Sequence, residues 1–181
     1  MTKPPPAVLF VYSSTDGHTA KICHFIGEHI ASSGYESRFL PIDEVSEADI
    51  ALCDKIVLAA RIRYGKHHKM VYRFVKRYLP LIQNKPNAYF SVGLVARKPD
   101  KNRPETNPST AEFLRTVVWQ PSLADAFAGK YAYDHYGLGL RLIMGQVFRI
   151  SEGKPAPREN VEFTDWDRVR AFADALVKLE K

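Results

Sequence analysis

Between an apolar run, Ala7-Val8-Leu9-Phe10-Val11-Tyr12, and a helix-like stretch ending near Gly34 stands Ser13-Ser14-Thr15-Asp16-Gly17-His18-Thr19. A loop that opens a helix points unpaired backbone N–H groups and the positive end of the helix dipole at one spot. A phosphate dianion there replaces the missing acceptors. Hydroxyls at Ser14, Thr15 and Thr19 add donors, and Gly17 admits close approach of the backbone. The loop lacks the Gly-Lys-Ser/Thr ending that grips a nucleoside triphosphate, and it lacks the three-glycine turn of a dinucleotide site. A terminal phosphate is the better match. The same residues also suit plain N-capping of the helix through Ser14, Thr15 or Asp16.

The surrounding pattern alternates strand and helix. Thr19 to Ser33 places Ile22, Phe25, Ile26 and Ile30 at helical spacing, with Gly34 as its stop. Glu36 to Pro41 reads as a strand, Ser46 to Leu52 as a short helix and Lys55 to Ala60 as a buried strand. His68 to Ile82 reads as a helix with Val71, Phe74, Val75, Tyr78 and Leu79 inward. Ala88 to Leu94 is a strand, Ser109 to Val118 a helix, Leu123 to Ala128 a fifth strand and Thr164 to Leu179 a closing helix. Parallel strands need such crossovers, so the expected fold is α/β: a doubly wound three-layer sandwich with a five-stranded parallel sheet. Ligands in this architecture sit beyond the carboxyl ends of the strands, where Ser13 to Thr19, Arg61 to Gly65 and Gly93 to Asn107 should converge. A terminal phosphate at that place points to flavin mononucleotide (FMN).

The chain has 181 residues, of which 45% are apolar, enough for one core; a single domain is expected, with 1–6 as an extension, 93–108 as a long loop and 131–160 as an insertion. No run is long enough to span a membrane, and Met1 to Pro6 does not resemble a signal peptide, so a cytoplasmic location is expected. Cys23 and Cys53 lack metal or redox spacing and read as buried small residues; no metal site is expected. The net charge of +6 favours acidic partners, among them phosphates, carboxylates or an anionic membrane surface. Nucleic acid would leave the phosphate loop unexplained.

Four segments together resemble one family. They are the aromatic-Ser-Ser-x-x-Gly-x-Thr loop, Arg61-Ile62-Arg63-Tyr64-Gly65, the run from Tyr89 to Pro99 that contains Leu94-Val95-Ala96-Arg97-Lys98-Pro99, and Phe163-Thr164-Asp165-Trp166. They are similar to the menaquinone-dependent protoporphyrinogen IX dehydrogenases of bacteria, from Ala7 to Leu176. The resemblance implies a flavodoxin-like three-layer sandwich, bound FMN, oxidation of protoporphyrinogen IX in haem biosynthesis, delivery of electrons to menaquinone or another quinone, and peripheral association with the cytoplasmic face of the inner membrane. A flavodoxin-like electron carrier and an NAD(P)H:quinone reductase are the alternatives; the basic charge and the two extra segments favour the enzyme.

On this reading Ser13, Ser14, Thr15, Asp16, Gly17, His18 and Thr19 hold the phosphate. Tyr64 covers a flavin face, backbone groups of Arg61, Ile62, Arg63 and Gly65 meet the ring edge, and Ser91, Val92, Gly93, Leu94 and Val95 form a third wall. Arg61 or Arg63 suits the anionic reduced flavin or a substrate carboxylate. Arg97, Lys98, Lys101 and Arg103 suit the two propionates of a porphyrinogen, and Arg141 joins them from the insertion. That insertion carries Tyr131, Tyr133, Tyr136, Leu138, Leu140, Leu142, Ile143, Met144, Val147 and Phe148. It suits a flat macrocycle, a membrane boundary, extra core cover or a contact between copies in a homo-oligomer. Gly137, Gly139 and Gly145 argue against one rigid helix there. His67 and His68 are candidate proton acceptors, but a helix-start or surface role suits both better; no catalytic acid or base is assigned.

Overall fold

The computed structural model describes residues 5–135 and 137–180, with the side chains of His135, Leu140 and Ser151 left out of that description. Tyr136 and the first four residues of the expected extension lie outside it. In chain order the elements are β1 (Ala7–Ser13), α1 (His18–Ala31), β2 (Glu36–Pro41), α2 (Glu47–Leu52), β3 (Lys55–Arg63), β4 (Lys66–His67) and α3 (Lys69–Ile82). There follow β5 (Asn87–Val92), α4 (Pro108–Val117), β6 (Leu123–Phe127), β7 (Lys130–Tyr131), α5 (Leu138–Glu152), β8 (Val161–Glu162) and α6 (Trp166–Lys178).

Five parallel strands pair in the order β2-β1-β3-β5-β6, the expected doubly wound sheet. Alternate residues of each strand feed opposite cores, because side chains leave a strand on opposite faces. Val8, Phe10, Val57 and Phe90 pack with α1 and α6 through Ile22, Ile26, Phe172 and Leu176. Leu9, Val11, Leu58 and Tyr89 pack with α3 and α4 through Val71, Val75 and Phe113. Near-continuous apolar strands are what such two-sided burial requires. The buried Lys55 ammonium donates to the carbonyls of Leu176 and Val177, both at 2.8 Å, and so ties β3 to the last turn of α6. Cys23 and Cys53 are free and buried, as expected.

Three features depart from the sequence reading. First, β3 runs three residues past Ala60 and folds back on β4, with Ile62 opposite His67 and Arg63 opposite Lys66. Second, the 93–108 segment is organised: short 3₁₀ turns at Leu94–Arg97 and Pro99–Lys101 lead to Asn107, whose side chain accepts from Thr110 N at 3.2 Å and caps α4. Third, α5 is one continuous helix despite Gly139 and Gly145. Each interior glycine costs about 1 kcal/mol. Offsetting contacts hold the helix: Phe148 is buried against Tyr131 with ring centres 5.4 Å apart, and Gly153 closes the last turn by donating to Arg149 O at 3.0 Å. The antiparallel pair β7-β8 brackets the insertion and brings its ends together.

Candidate functional site

The loop after β1 meets α1 at Gly17, which has a left-handed φ of 78° and makes no side-chain cap. None of Ser14, Thr15 or Asp16 caps the helix, so the N-capping alternative fails. The first turn of α1 carries no acidic residue, and its N–H groups remain directed at the loop. Ser14 Oγ is buried and has no hydrogen-bond partner. A buried hydroxyl without a partner is uncommon and marks a place for an absent acceptor. The loop and helix therefore offer the donor groups that an anion-binding cradle would need.

That cradle opens into a cavity of about 660 Å³, within the usual range for small-ligand sites. Its walls come from the three loops at the carboxyl ends of β1, β3 and β5, as the topology requires. Thr15, Asp16, His18 and Thr19 form the first wall, Arg61 to Gly65 the second, and Val92 to Val95 with Arg97 the third. The second and third walls touch closely: a Cβ on Gly93 would stand 3.0 Å from Ile62 Cβ.

Tyr64 and Gly65 occupy the tip of the β3-β4 hairpin with φ of 51° and 72°. Positive φ at both central positions is the type I′ pattern, which suits the right-handed twist of the flanking strands. Gly65 adopts it freely; Tyr64 does so at a cost of about 1 kcal/mol. The exchange presents the Tyr64 ring 73% exposed at the cavity mouth, with the Arg63 guanidinium 5.2 Å from its centre. Ser109 Oγ donates to Gly65 O at 2.7 Å and anchors the turn to α4. Arg61, half-buried, has its basicity lowered by burial and then by neighbouring Arg63, with Asp16 opposing.

His18 also faces the cavity, and a relay places a proton on its Nε2. Thr164 Oγ1 donates to Ala128 O at 2.8 Å, so it accepts from His18 Nε2–H at 2.7 Å. Burial lowers the imidazole pKa, and Glu162 only partly opposes this.

The Flavodoxin domain family matches residues 9–157. Over 171 residues the chain is 31% identical to the protoporphyrinogen IX dehydrogenase [quinone] of Escherichia coli (strain K12), covering 94% of each chain. The Leishmania major protein of the same name is 33% identical over 180 residues, covering 99% of this chain and 78% of that one. The chain belongs to the flavodoxin-domain family of quinone-dependent protoporphyrinogen IX dehydrogenases. Among solved structures, oxidised flavodoxin 1 from Bacillus cereus superposes with a TM-score of 0.55 at 15% identity, over 95% of this chain and 97% of that one. This likeness shows the fold.

The segment Phe163-Thr164-Asp165-Trp166, one of those that carry the resemblance to this family, has a physical account here. Phe163 N donates to Gly129 O, Thr164 holds His18, Asp165 Oδ1 caps α6 by accepting from the N–H groups of Asp167 and Arg168, and Trp166 Nε1 donates to Glu162 Oε1 at 2.8 Å. The four residues lock α6 against the loop that carries the cradle.

Other expected site residues fall elsewhere. Ser13 is buried at the end of β1, and the Ser91 hydroxyl bonds Thr110 Oγ1 at 2.7 Å; neither lines the cavity, and Ser14 and Gly17 stand behind the first wall rather than in it. Lys98 and exposed Arg103 also lie outside its walls. Arg141 stacks on Tyr133, its guanidinium carbon 4.0 Å from the ring centre, rather than facing the cavity. Arg97 does line it, but its guanidinium is already paired with Glu152 of α5. His67 is not a surface base: it is buried, bonds Tyr89 Oη through Nε2 at 2.6 Å and stacks on Phe113 with ring centres 4.6 Å apart. Burial drives its pKa from 6.5 down to about 4. His68 caps α3, accepting from Met70 N.

A fourth wall comes from the insertion, whose apolar residues suit a macrocycle among other roles, and from the segment before it, which the sequence does not single out. Gly129, Lys130 and Ala132 around β7, with Ile143, Met144 and Val147 of α5, close the cavity on its remaining side. The apolar periodicity of the insertion was a signal for this helix; its glycines obscured it.

Proposed function

We propose that this chain oxidises protoporphyrinogen IX to protoporphyrin IX with FMN held in the cavity, and that the electrons pass to a membrane quinone. The observation that carries the cofactor reading is the uncapped start of α1 beneath the partnerless Ser14 hydroxyl. A phosphomonoester satisfies both at once. A terminal phosphate there directs the rest of the cofactor into the space between the Tyr64 turn and the Val92 to Val95 wall. Bound FMN supplies a two-electron acceptor, so three rounds remove the six electrons and six protons that separate porphyrinogen from porphyrin, and three quinones take them up.

The chain's own residues bind, orient and exclude water. The Tyr64 ring offers a flat apolar face, and the hairpin's hydrogen bond to Ser109 keeps it in place. Ile143, Met144 and Val147 supply a lipophilic wall suited to a macrocycle and to a quinone. Neutral His18 is the imidazole at the cavity, while His67 is committed to the core.

The reading extends to peripheral attachment to an anionic inner membrane, and the surface of α5 supports it. Leu138, Leu142, Ile143 and Ile150 are exposed along it, and Arg149 and Lys154 flank them. Such a face suits the headgroup boundary. Among the described residues no helix is long and apolar enough to cross a membrane.

Anaerobic mixing of the FMN-loaded chain with protoporphyrinogen IX should bleach the flavin absorbance. A menaquinone analogue should then restore it as porphyrin fluorescence grows. A flavin that stays oxidised with protoporphyrinogen but bleaches with NADH would overturn this reading in favour of a nicotinamide-linked reductase.

A further inference from the structure

Arg97 is the charged side chain of the third wall, and its surroundings are specific. The side chain is 8% exposed. Its guanidinium carbon lies 4.4 Å from the Phe148 ring centre, and Nη1 donates to Leu94 O at 2.8 Å. The remaining edge, Nε with Nη2, faces the carboxylate of Glu152 at the end of α5. Both contacts fall on the same oxygen, Oε1, with Nε at 2.7 Å. A guanidinium edge of this kind matches two carboxylate oxygens, one per nitrogen, so Glu152 uses the fork incompletely. Glu152 is also poorly placed on its own helix, because a carboxylate in a last turn meets the negative end of the dipole. The ion pair holds it there.

We propose that the Arg97 fork is the carboxylate-recognition point of the cavity and that Glu152 is its resident competitor. A propionate of the porphyrin macrocycle takes both nitrogens of the fork, displaces Glu152 and frees the last turn of α5. This rests on the porphyrinogen reading above. It makes the exchange a test of the ligand: an apolar macrocycle without a carboxylate leaves the Arg97–Glu152 pair closed, and one that carries a propionate opens it.

The test is equilibrium binding of protoporphyrin IX and of its dimethyl ester to the FMN-loaded chain, read by fluorescence quenching, for wild type, Glu152→Gln and Arg97→Gln. Both substitutions break the same ion pair, so a merely structural role moves affinity in the same direction for both. The exchange predicts opposite directions. Glu152→Gln should tighten the diacid severalfold, Arg97→Gln should weaken it about tenfold, and the ester should change little in either. Parallel changes in the two variants, or equal changes for diacid and ester, overturn the proposal while leaving the porphyrin reading in place. A wild-type chain that binds neither compound while retaining FMN overturns both.

Discussion

Ser14 Oγ and His67 Nδ1 are both buried without a partner, and their settings give them different meanings. The serine sits beside the uncapped end of α1, where the proposed phosphate would satisfy it. Removing its hydroxyl should therefore have opposite effects on two measurements. Ser14→Ala should leave the apo chain as stable or up to about 1 kcal/mol more stable in thermal unfolding, since an unsatisfied group is lost. It should raise the dissociation constant for FMN about tenfold, since a charge-assisted hydrogen bond is lost. Unchanged FMN affinity in a titration removes Ser14 from the cradle. The histidine has no ligand to wait for. Its neutral form is built into the core, with the folded pKa near 4 against 6.5 for the free side chain. Its contribution is complete above pH 6.5 and is lost as pH falls toward 4, because the unfolded chain takes up the proton first. The loss is on the order of 2 kcal/mol by pH 5. His67→Gln should flatten the dependence of denaturant midpoint on pH between 7 and 5; an equally steep slope in the variant assigns it to other groups.

Helix α5 shows what an element can do that its residues cannot do singly. Its inner side buries Phe148 and reaches Arg97 through Glu152, one flank lines the cavity with Met144 and Val147, and the outer side leaves Leu142 74% and Ile150 85% exposed. Cavity wall and outer surface are thus a single turn of helix apart, so under the proposed membrane contact a lipid-soluble quinone would have a short route from bilayer to cavity. Replacing Leu142 and Ile150 together by Asp should lower partitioning onto anionic vesicles by at least about a hundredfold, given roughly 1.5–3 kcal/mol for each buried side chain. FMN affinity should hold. Sedimentation with vesicles measures the first and flavin fluorescence the second; undiminished sedimentation removes α5 from the membrane contact. The same helix marks the limit of legibility in the sequence. The parallel strands and α1, α3 and α6 were readable because apolar spacing and cap residues such as Asp165 agree with one another. In α5 they disagree: apolar residues lie all round it, and its glycines favour a break. Contacts remote in sequence decide the outcome, Phe148 with Tyr131 and Glu152 with Arg97. The loop before α1 could be singled out for a related reason, since its candidate donors are contiguous. The commitments of His67 to Tyr89 and of Ser91 to Thr110 depend on strand register, which composition does not disclose.

At the scale of the whole molecule, charge and apolar surface act together in ways that salt can separate. The chain carries 26 Lys and Arg against 20 Asp and Glu, a net charge of +6. That field attracts an anionic surface at a distance, but the screening length shrinks from about 10 Å at 0.1 M salt to roughly 3 Å at 1 M. The exposed leucine and isoleucine side chains of α5 respond in the opposite sense or not at all, because burial of apolar area is not screened. Vesicle binding should therefore have two components. With phosphatidylserine-containing vesicles, affinity should fall by about tenfold or more between 0.05 and 0.5 M NaCl, since each basic side chain near the surface contributes about 1 kcal/mol at physiological ionic strength. With neutral phosphatidylcholine vesicles it should be weak and flat. The Leu142 and Ile150 substitutions should abolish the flat component while leaving part of the salt-sensitive one. Attraction without insertion would then remain, and quinone turnover on vesicles should collapse although turnover with a water-soluble quinone persists. If the two quinones lose turnover equally, the helix face acts on the cavity itself rather than on its access to the bilayer.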